Sequence, residues 1–220
     1  MDHTQGKTEW AGRAMNIVKE WREEIKPLRE SNDKPIRPER LCKEISDLLP
    51  ENAILVADTG YAAIWTSNMI QLSNINQLYL RAAGSLGWAF PASLGAKCAA
   101  MDRPVICFTG DGGFWYHIAE LETAKRWNLN TITIVNNNSA FGQSIVGIEK
   151  AYGNKNGNRD EVYGFRKVNF AKIAEEIGCL GIRVEDPNGI GTALKKAFSS
   201  NVPAVIDVVT DRMCKPDVSW

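Results

Sequence analysis

Histidine is nearly missing from this chain: its 220 residues include two, His3 and His117. A histidine-rich metal centre has too few ligands. A Ser/His/Asp triad would rest on His117 alone, since His3 sits in a polar terminus. The five cysteines, Cys42, Cys98, Cys107, Cys179 and Cys214, form no CxxC pair. An odd, unspaced set reads as free thiols in a reducing cytoplasm, not as a disulfide framework or a zinc site. Cys98 and Cys107 lie in apolar runs and are expected to be buried. Neither sign of charge is in excess, with 26 Lys and Arg against 26 Asp and Glu. An electrostatic nucleic-acid binder would carry a basic surplus. No run nears the ~18–20 apolar residues of a membrane span, and the first residues lack the apolar stretch of a secretion signal. No nucleic-acid or membrane partner is therefore expected.

What is present is ordinary for a globular fold: 44% hydrophobic and 24% charged residues. Trp10, Ala14, Ile17, Val18, Trp21, Ile25 and Leu28 recur at helical spacing among charged residues. They predict an amphipathic helix that Pro27 should kink or end. It reads equally as a packing arm or as a docking helix for a partner. Ser31 to Pro35 reads as a linker. Beyond it strands and helices alternate. Strands are predicted over 53–57, 78–80, 104–109, 131–135, 180–184 and 204–209. Helices are predicted from Pro38 to Leu48, Ala62 to Ile70, Pro91 to Met101, Gly113 to Trp127, and over 169–177 and 189–199. Strands apolar throughout are buried on both faces, as in a parallel sheet. The chain is therefore expected to be a doubly wound α/β fold, with a mostly parallel six-stranded sheet, helices on both faces and an N-terminal helical arm. Residues 1–34 would form the arm and linker, 35–213 the domain, and 214–220 a tail. The Gly- and Asn-rich stretch from Ser139 to Val168 resists the pattern and reads as a long functional loop, ordered only by a ligand or a partner.

Ligands of open α/β sheets bind beyond the carboxyl ends of the strands. Those ends carry Asp58-Thr59-Gly60, Gly84-Ser85-Leu86-Gly87, Gly110-Asp111-Gly112-Gly113 and Asn136-Asn137-Asn138. Glycines let backbone NH groups approach an anion, and each following helix presents its positive end, so a phosphate ligand is implied. The chain has no GxxxxGK[ST] loop, and no GxGxxG follows its first strand, so the common nucleotide sites are excluded. Asp111 and Asn138 lie 27 positions apart, each after its own strand. Either alone reads as a turn or a cap. Together, a carboxylate, an amide oxygen and a backbone carbonyl from the Asn138 turn make a hard oxygen site. Two phosphate oxygens and a water would complete octahedral Mg²⁺.

Gly110-Asp111-Gly112 followed by Asn137-Asn138 resembles the metal and diphosphate motif of thiamine diphosphate enzymes. Pro35-Ile36-Arg37-Pro38-Glu39-Arg40, Ala57-Asp58-Thr59-Gly60, the run from Gly84 to Ala92, and Val202 to Val208 are similar to the C-terminal domain of acetolactate synthase-type decarboxylases and carboligases. The resemblance covers residues 35–210. It implies that Asp111, Asn138 and the Ala140 carbonyl ligate Mg²⁺ or Ca²⁺. It places Gly60, Tyr61, Gly110, Gly112 and Gly113 on the diphosphate, although Gly113 stands where the family often has serine. Gly84 and Ser85 would lie along the cofactor, with the Gly84 carbonyl facing the aminopyrimidine and Leu86 as the wedge that bends it. Phe141 and Gly142 would continue the metal turn, and Gln143 would be a candidate for substrate contact. His117 reads as a core or supporting residue, and Glu120 and Glu122 as surface or capping charges. The family's glutamate that activates the pyrimidine belongs to another domain, which these residues do not include. The resemblance thus implies half of a composite site, completed by a separate subunit or by the rest of a longer chain, in a homodimeric or heterotetrameric core. The implied reaction is decarboxylation of a 2-oxo acid with ligation to a second carbonyl. The rivals are a plain decarboxylase, a 2-hydroxyacyl-CoA lyase, and a non-catalytic cofactor-binding scaffold.

Overall fold

The computed structural model describes residues 9–153 and 155–216. His3 and the last four residues of the expected tail lie outside the described residues. Six strands form one sheet: β1 (Ile54–Ala57), β2 (Leu78–Arg81), β3 (Val105–Gly110), β4 (Ile132–Asn137), β5 (Leu180–Val184) and β6 (Ala204–Val209). Their order is β2-β1-β3-β4-β6-β5, and every pairing is parallel. The chain leaves β1 toward β2 on one side and returns through β3 on the other. That reversal places a topological switch point, the usual ligand crevice, between β1 and β3.

The strands carry apolar residues on both faces because both faces are covered. On one, α2 (Pro38–Leu48), α3 (Tyr61–Met69) and α10 (Ile190–Phe198) bring Leu41, Ile45, Trp65, Ile190 and Leu194 onto Leu55, Ile106, Phe108, Ile134 and Ile206. On the other lie α4 (Ala89–Ala99), α5 (Asp111–His117), α6 (Glu120–Arg126) and α9 (Phe170–Glu176). They pack Phe90, Phe114, Leu121 and Phe170 onto Val56, Cys107, Val135 and Val205. Phe114 sits edge-on to Phe90 and to Phe170, with ring centroids 5.1 and 5.5 Å apart, a favoured aromatic geometry.

Several expectations need correction. Edge strand β2 is not buried on both faces: Leu78 and Leu80 are exposed, and Tyr79 alone packs inward, its hydroxyl 2.9 Å from Thr66 Oγ1. An edge strand has a neighbour on one side, and the outward side chains of this one stay exposed. Cys98 is exposed, while Cys107 is buried. Their sequence surroundings are alike, but Cys98 lies on the outer side of a helix and Cys107 in a central strand. The arm α1 (Glu9–Arg29) runs through Pro27. A proline in the last turn forfeits one backbone bond and does not end the helix. The helix after Gly113 is two helices, α5 and α6, and α4 begins at Ala89, two residues before Pro91.

The stretch from 139 to 168 is not structureless either. It holds α7 (Gly142–Tyr152) and α8 (Asp160–Tyr163). An antiparallel bridge between Ala140 and Gly164 closes it at the base. Phe141 NH donates to Tyr163 O at 2.8 Å, and Phe165 NH to Ser139 O at 2.7 Å. Gly153, Asn156, Gly157, Asn158 and Gly164 lie between or after the two helices, which is why the composition reads as loop.

One buried charge holds the far side of the sheet. Asp207, fully buried on β6, accepts from Arg183 Nη1 at 2.6 Å, Asn137 Nδ2 at 2.8 Å and Phe170 NH at 2.9 Å. It joins β6 to β5, β4 and α9. Removing one partner of such a pair leaves the others buried and unpaired, at about 3–5 kcal/mol. Asp207→Ala is expected to lower the thermal midpoint by about 10 °C, at a few degrees per kcal/mol for this size. A midpoint within about 2 °C of wild type, below the shift of even 1 kcal/mol, would contradict the role given to this network.

Candidate functional site

At the carboxyl ends of β1, β3 and β4 lies a cleft of about 230 Å³. Its walls start from Asp58, the residue after β1. The Asp58 carboxylate is almost fully buried. Its Oδ1 accepts from Thr59 NH at 2.8 Å and Gly87 NH at 3.0 Å, and its Oδ2 from Thr109 Oγ1 at 2.8 Å. Burial pushes this carboxyl above the usual carboxylate range, against the pull of those hydrogen bonds. Three strand-end turns are thereby tied to one group: the turn into α3, the Gly84–Gly87 turn, and the end of β3.

Asp58 also dictates which residues can come after β3. A Cβ on Gly113 would stand 2.3 Å from Asp58 Oδ2 and 3.0 Å from Thr109 Oγ1. A Cβ on Gly112 would stand 2.5 Å from the Phe141 ring. Backbone therefore lines this wall, because side chains from β1 and from the 139–165 excursion occupy the space a Cβ would need. Phe141 in turn packs edge-on against Phe165, centroids 4.6 Å apart, so the aromatic pair at the base of the excursion closes over the Gly110–Gly113 turn. Arg212 secures that base by donating to Ser139 O at 3.1 Å and pairing with Asp160.

Asp111 opens α5 and is 3% exposed. Burial raises its carboxyl to about 7, against backbone NH groups of Gly112, Ala140 and Ser139. Its surroundings therefore penalise the anion unless a cation comes to it. Across the cleft, Ser139 takes a left-handed φ of +56°. The chain turns there so that Ala140 NH donates to Asn138 Oδ1 at 3.0 Å, an Asx-turn that fixes the amide. Among the described residues, no group of three His, Cys, Asp or Glu side chains could hold a metal ion. A cation here would take one carboxylate, one amide oxygen and backbone carbonyl, the hard oxygen set of Mg²⁺ or Ca²⁺.

Gly60, Tyr61, Gly84, Leu86, Gly110, Asp111, Gly112, Gly113, Asn138, Ala140, Phe141, Gly142 and Gln143 all line this cleft. Ser85 does not; it is exposed in the β2–α4 connection. His117 is exposed rather than in the core, with its ring beside Gly87. Glu122 is a surface charge paired with Arg126. Asn137 belongs to the Asp207 network on the other face of β4. Sequence reasoning missed Ala62 and Ser144, and named Thr59 and Asn136 in the strand-end clusters without giving them a role; all four line the cleft. Asn136 had a usable signal: it lies two residues before Asn138, so the pair share a strand face. A larger cleft of about 670 Å³ lies beyond Asn138. Three of its cations, Lys34, Arg183 and Arg212, are already held in ion pairs.

A doubly wound parallel sheet with a glycine-backed crevice at its switch point defines a ligand-binding class of α/β protein. Within that class, residues 58–208 match the family "Thiamine pyrophosphate enzyme, C-terminal TPP binding domain", and the chain belongs to it. It is 31% identical over 193 residues to the "Probable acetolactate synthase large subunit" of Methanocaldococcus jannaschii, covering 84% of this chain and 32% of that protein. It is 28% identical over 217 residues to the acetolactate synthase of Bacillus subtilis, covering 96% of this chain and 37% of that protein. With the glyoxylate carboligase of Escherichia coli O157:H7 the identity is 30% over 191 residues, or 81% of this chain and 32% of that protein. The chain thus spans about a third of the length of the curated relatives it matches.

The close approach of Asp58 to Gly113 has a direct test. Gly113→Ala must displace a carboxylate held by three donors. Overpacking of this kind costs about 1–3 kcal/mol, so the thermal midpoint is expected to fall by about 5 °C. An unchanged midpoint would show that the carboxylate moves freely.

Proposed function

We propose that this chain is the diphosphate- and metal-binding part of a thiamine diphosphate enzyme that decarboxylates a 2-oxo acid and joins the product to a second carbonyl. The observation that carries this reading is the convergence of Asp111, Asn138 and Ala140 on one glycine-walled cleft. The residues fit the cofactor. Their donors are hard oxygens, Gly112 and Gly113 line the cleft with backbone rather than side chains, and the Asp111 carboxyl sits where its anion needs a cation. When bound, thiamine diphosphate supplies the carbanion chemistry as an electron sink.

The chain's own residues would bind and orient. Asp111, Asn138 and the Ala140 carbonyl hold Mg²⁺ against the diphosphate, and Gly112 and Gly113 offer it NH groups. Tyr61 and Gly60 form the opposite wall. Leu86 would support the cofactor from the Gly84–Gly87 turn, and the Gly84 carbonyl would accept from its aminopyrimidine. Phe141 and Phe165 exclude water. Gln143, at the start of α7 and over Gly60, faces the substrate side. The acid that activates the pyrimidine comes from outside these residues. In this reading it belongs to a separate pyrimidine-binding subunit, in a cytoplasmic hetero-oligomer. Acetolactate synthase-like carboligation is favoured because relatives bear the names acetolactate synthase and glyoxylate carboligase.

Calorimetric titration of the chain with thiamine diphosphate and Mg²⁺, alone and with whatever protein co-purifies from its source, tests the reading. Binding in either case is expected; no binding in both would sink it. Asp111→Ala is expected to keep the fold, because it removes a buried and penalised carboxylate. Its cofactor affinity should fall about 100-fold or more, since even supporting residues of metal sites cost about 10–100-fold. Wild-type affinity in that variant would mean that the metal lies elsewhere.

A further inference from the structure

One polar atom in the cleft has no role in the ligand set proposed above. Asn136 is 4% exposed, and its Oδ1 has no hydrogen-bond partner among the described residues. The residue sits near the end of β4, opposite Gly110 of β3 in register. It shares its strand face with Asn138, and both line the cleft with Asp111, whereas Asn137 between them points to Asp207. A buried acceptor without a donor is destabilising, and one that belongs to a residue lining a cleft can be answered by what the cleft binds.

The chemistry of the expected ligand narrows what can answer. A diphosphate at neutral pH presents acceptors, not donors, so it cannot pair with an amide oxygen. A hydrated divalent cation can. Asp111, Asn138 and the Ala140 carbonyl give three protein ligands and the diphosphate two, which leaves one position of an octahedron for water. Water on a divalent cation is polarised and donates strongly.

We propose that Asn136 is a positioning residue for the metal: its Oδ1 accepts a hydrogen bond from the cation's water and so fixes the orientation of the hydrated ion in the cleft. This rests on the functional reading above. It adds a residue to the cation's outer layer and gives Asn136 an energetic signature opposite to that of a structural asparagine.

The test uses Asn136→Leu, close to asparagine in shape and without the acceptor. In the cofactor-free chain the thermal midpoint is expected to rise by about 2–5 °C, because an unanswered buried polar group is gone. At saturating thiamine diphosphate, the Mg²⁺ concentration for half-saturation should rise about tenfold, the range for supporting residues of metal sites. The thiamine diphosphate affinity at saturating Mg²⁺ should change less than about threefold, because the direct ligands remain. A lower midpoint in the cofactor-free variant would overturn the proposal, as would an unchanged Mg²⁺ requirement. Should Asn136→Leu not fold, Asn136→Ala carries the same Mg²⁺ measurement without a packing demand. If wild type binds no cofactor, the functional reading fails; if wild type binds and the variants match it, this inference alone fails.

Discussion

The architecture of the cleft depends on one buried carboxylate. Asp58 gathers the ends of β1 and β3 and the turn that carries Leu86 by accepting from Thr59, Gly87 and Thr109. A charge in that position is held at a cost, and burial raises its protonation range accordingly. What it adds to the pairing of β1 with β2 and β3 is a side-chain tie among the turn into α3, the Gly84–Gly87 turn and the end of β3. The bare backbone at Gly113 is a consequence, since the carboxylate fills the volume a side chain would take. A serine there, frequent in the family this sequence resembles, would meet Asp58 directly.

A second layer closes on the first from the opposite direction. The excursion from Ser139 to Phe165 returns to its starting point, sets Phe141 on Gly112, and presents Gly142, Gln143 and Ser144 to the cleft. The cleft is therefore built from two independent closures, one around a carboxylate and one around an aromatic pair, and the candidate metal ligands lie between them. Asp111 belongs to the first and Ala140 to the second, with Asn138 at the hinge of the Asx-turn. A cation bridging them would join the two halves.

Much of this is legible in the sequence. Unbroken apolar runs such as Ile54–Ala57 and Val105–Phe108 announce a buried parallel sheet, and the polar clusters after them mark the crevice. The Asp111 and Asn138 pair stands out because both come after strands. The features that sequence hides depend on tertiary neighbours. Leu78 and Leu80 look like core residues until the sheet order places β2 at the edge. Cys98 is apolar in context but lies on the outward side of α4. The helices of the 139–168 stretch are hidden by glycines and asparagines that serve their ends. Asn136 looks like part of a turn, because only the extension of β4 to Asn137 shows which way it points. Asp58 looks like a simple strand end, since its three donors include segments far away in sequence.

The account stands on a cation being held between Asp111, Asn138 and Ala140. The most direct measurement is anomalous diffraction from crystals grown with thiamine diphosphate and Mn²⁺ in place of Mg²⁺. The account expects one anomalous peak within bonding distance of the Asp111 carboxylate, the Asn138 amide oxygen and the Ala140 carbonyl, with the diphosphate on its open side. A well-bound cofactor whose cation lay away from these three oxygens would contradict it.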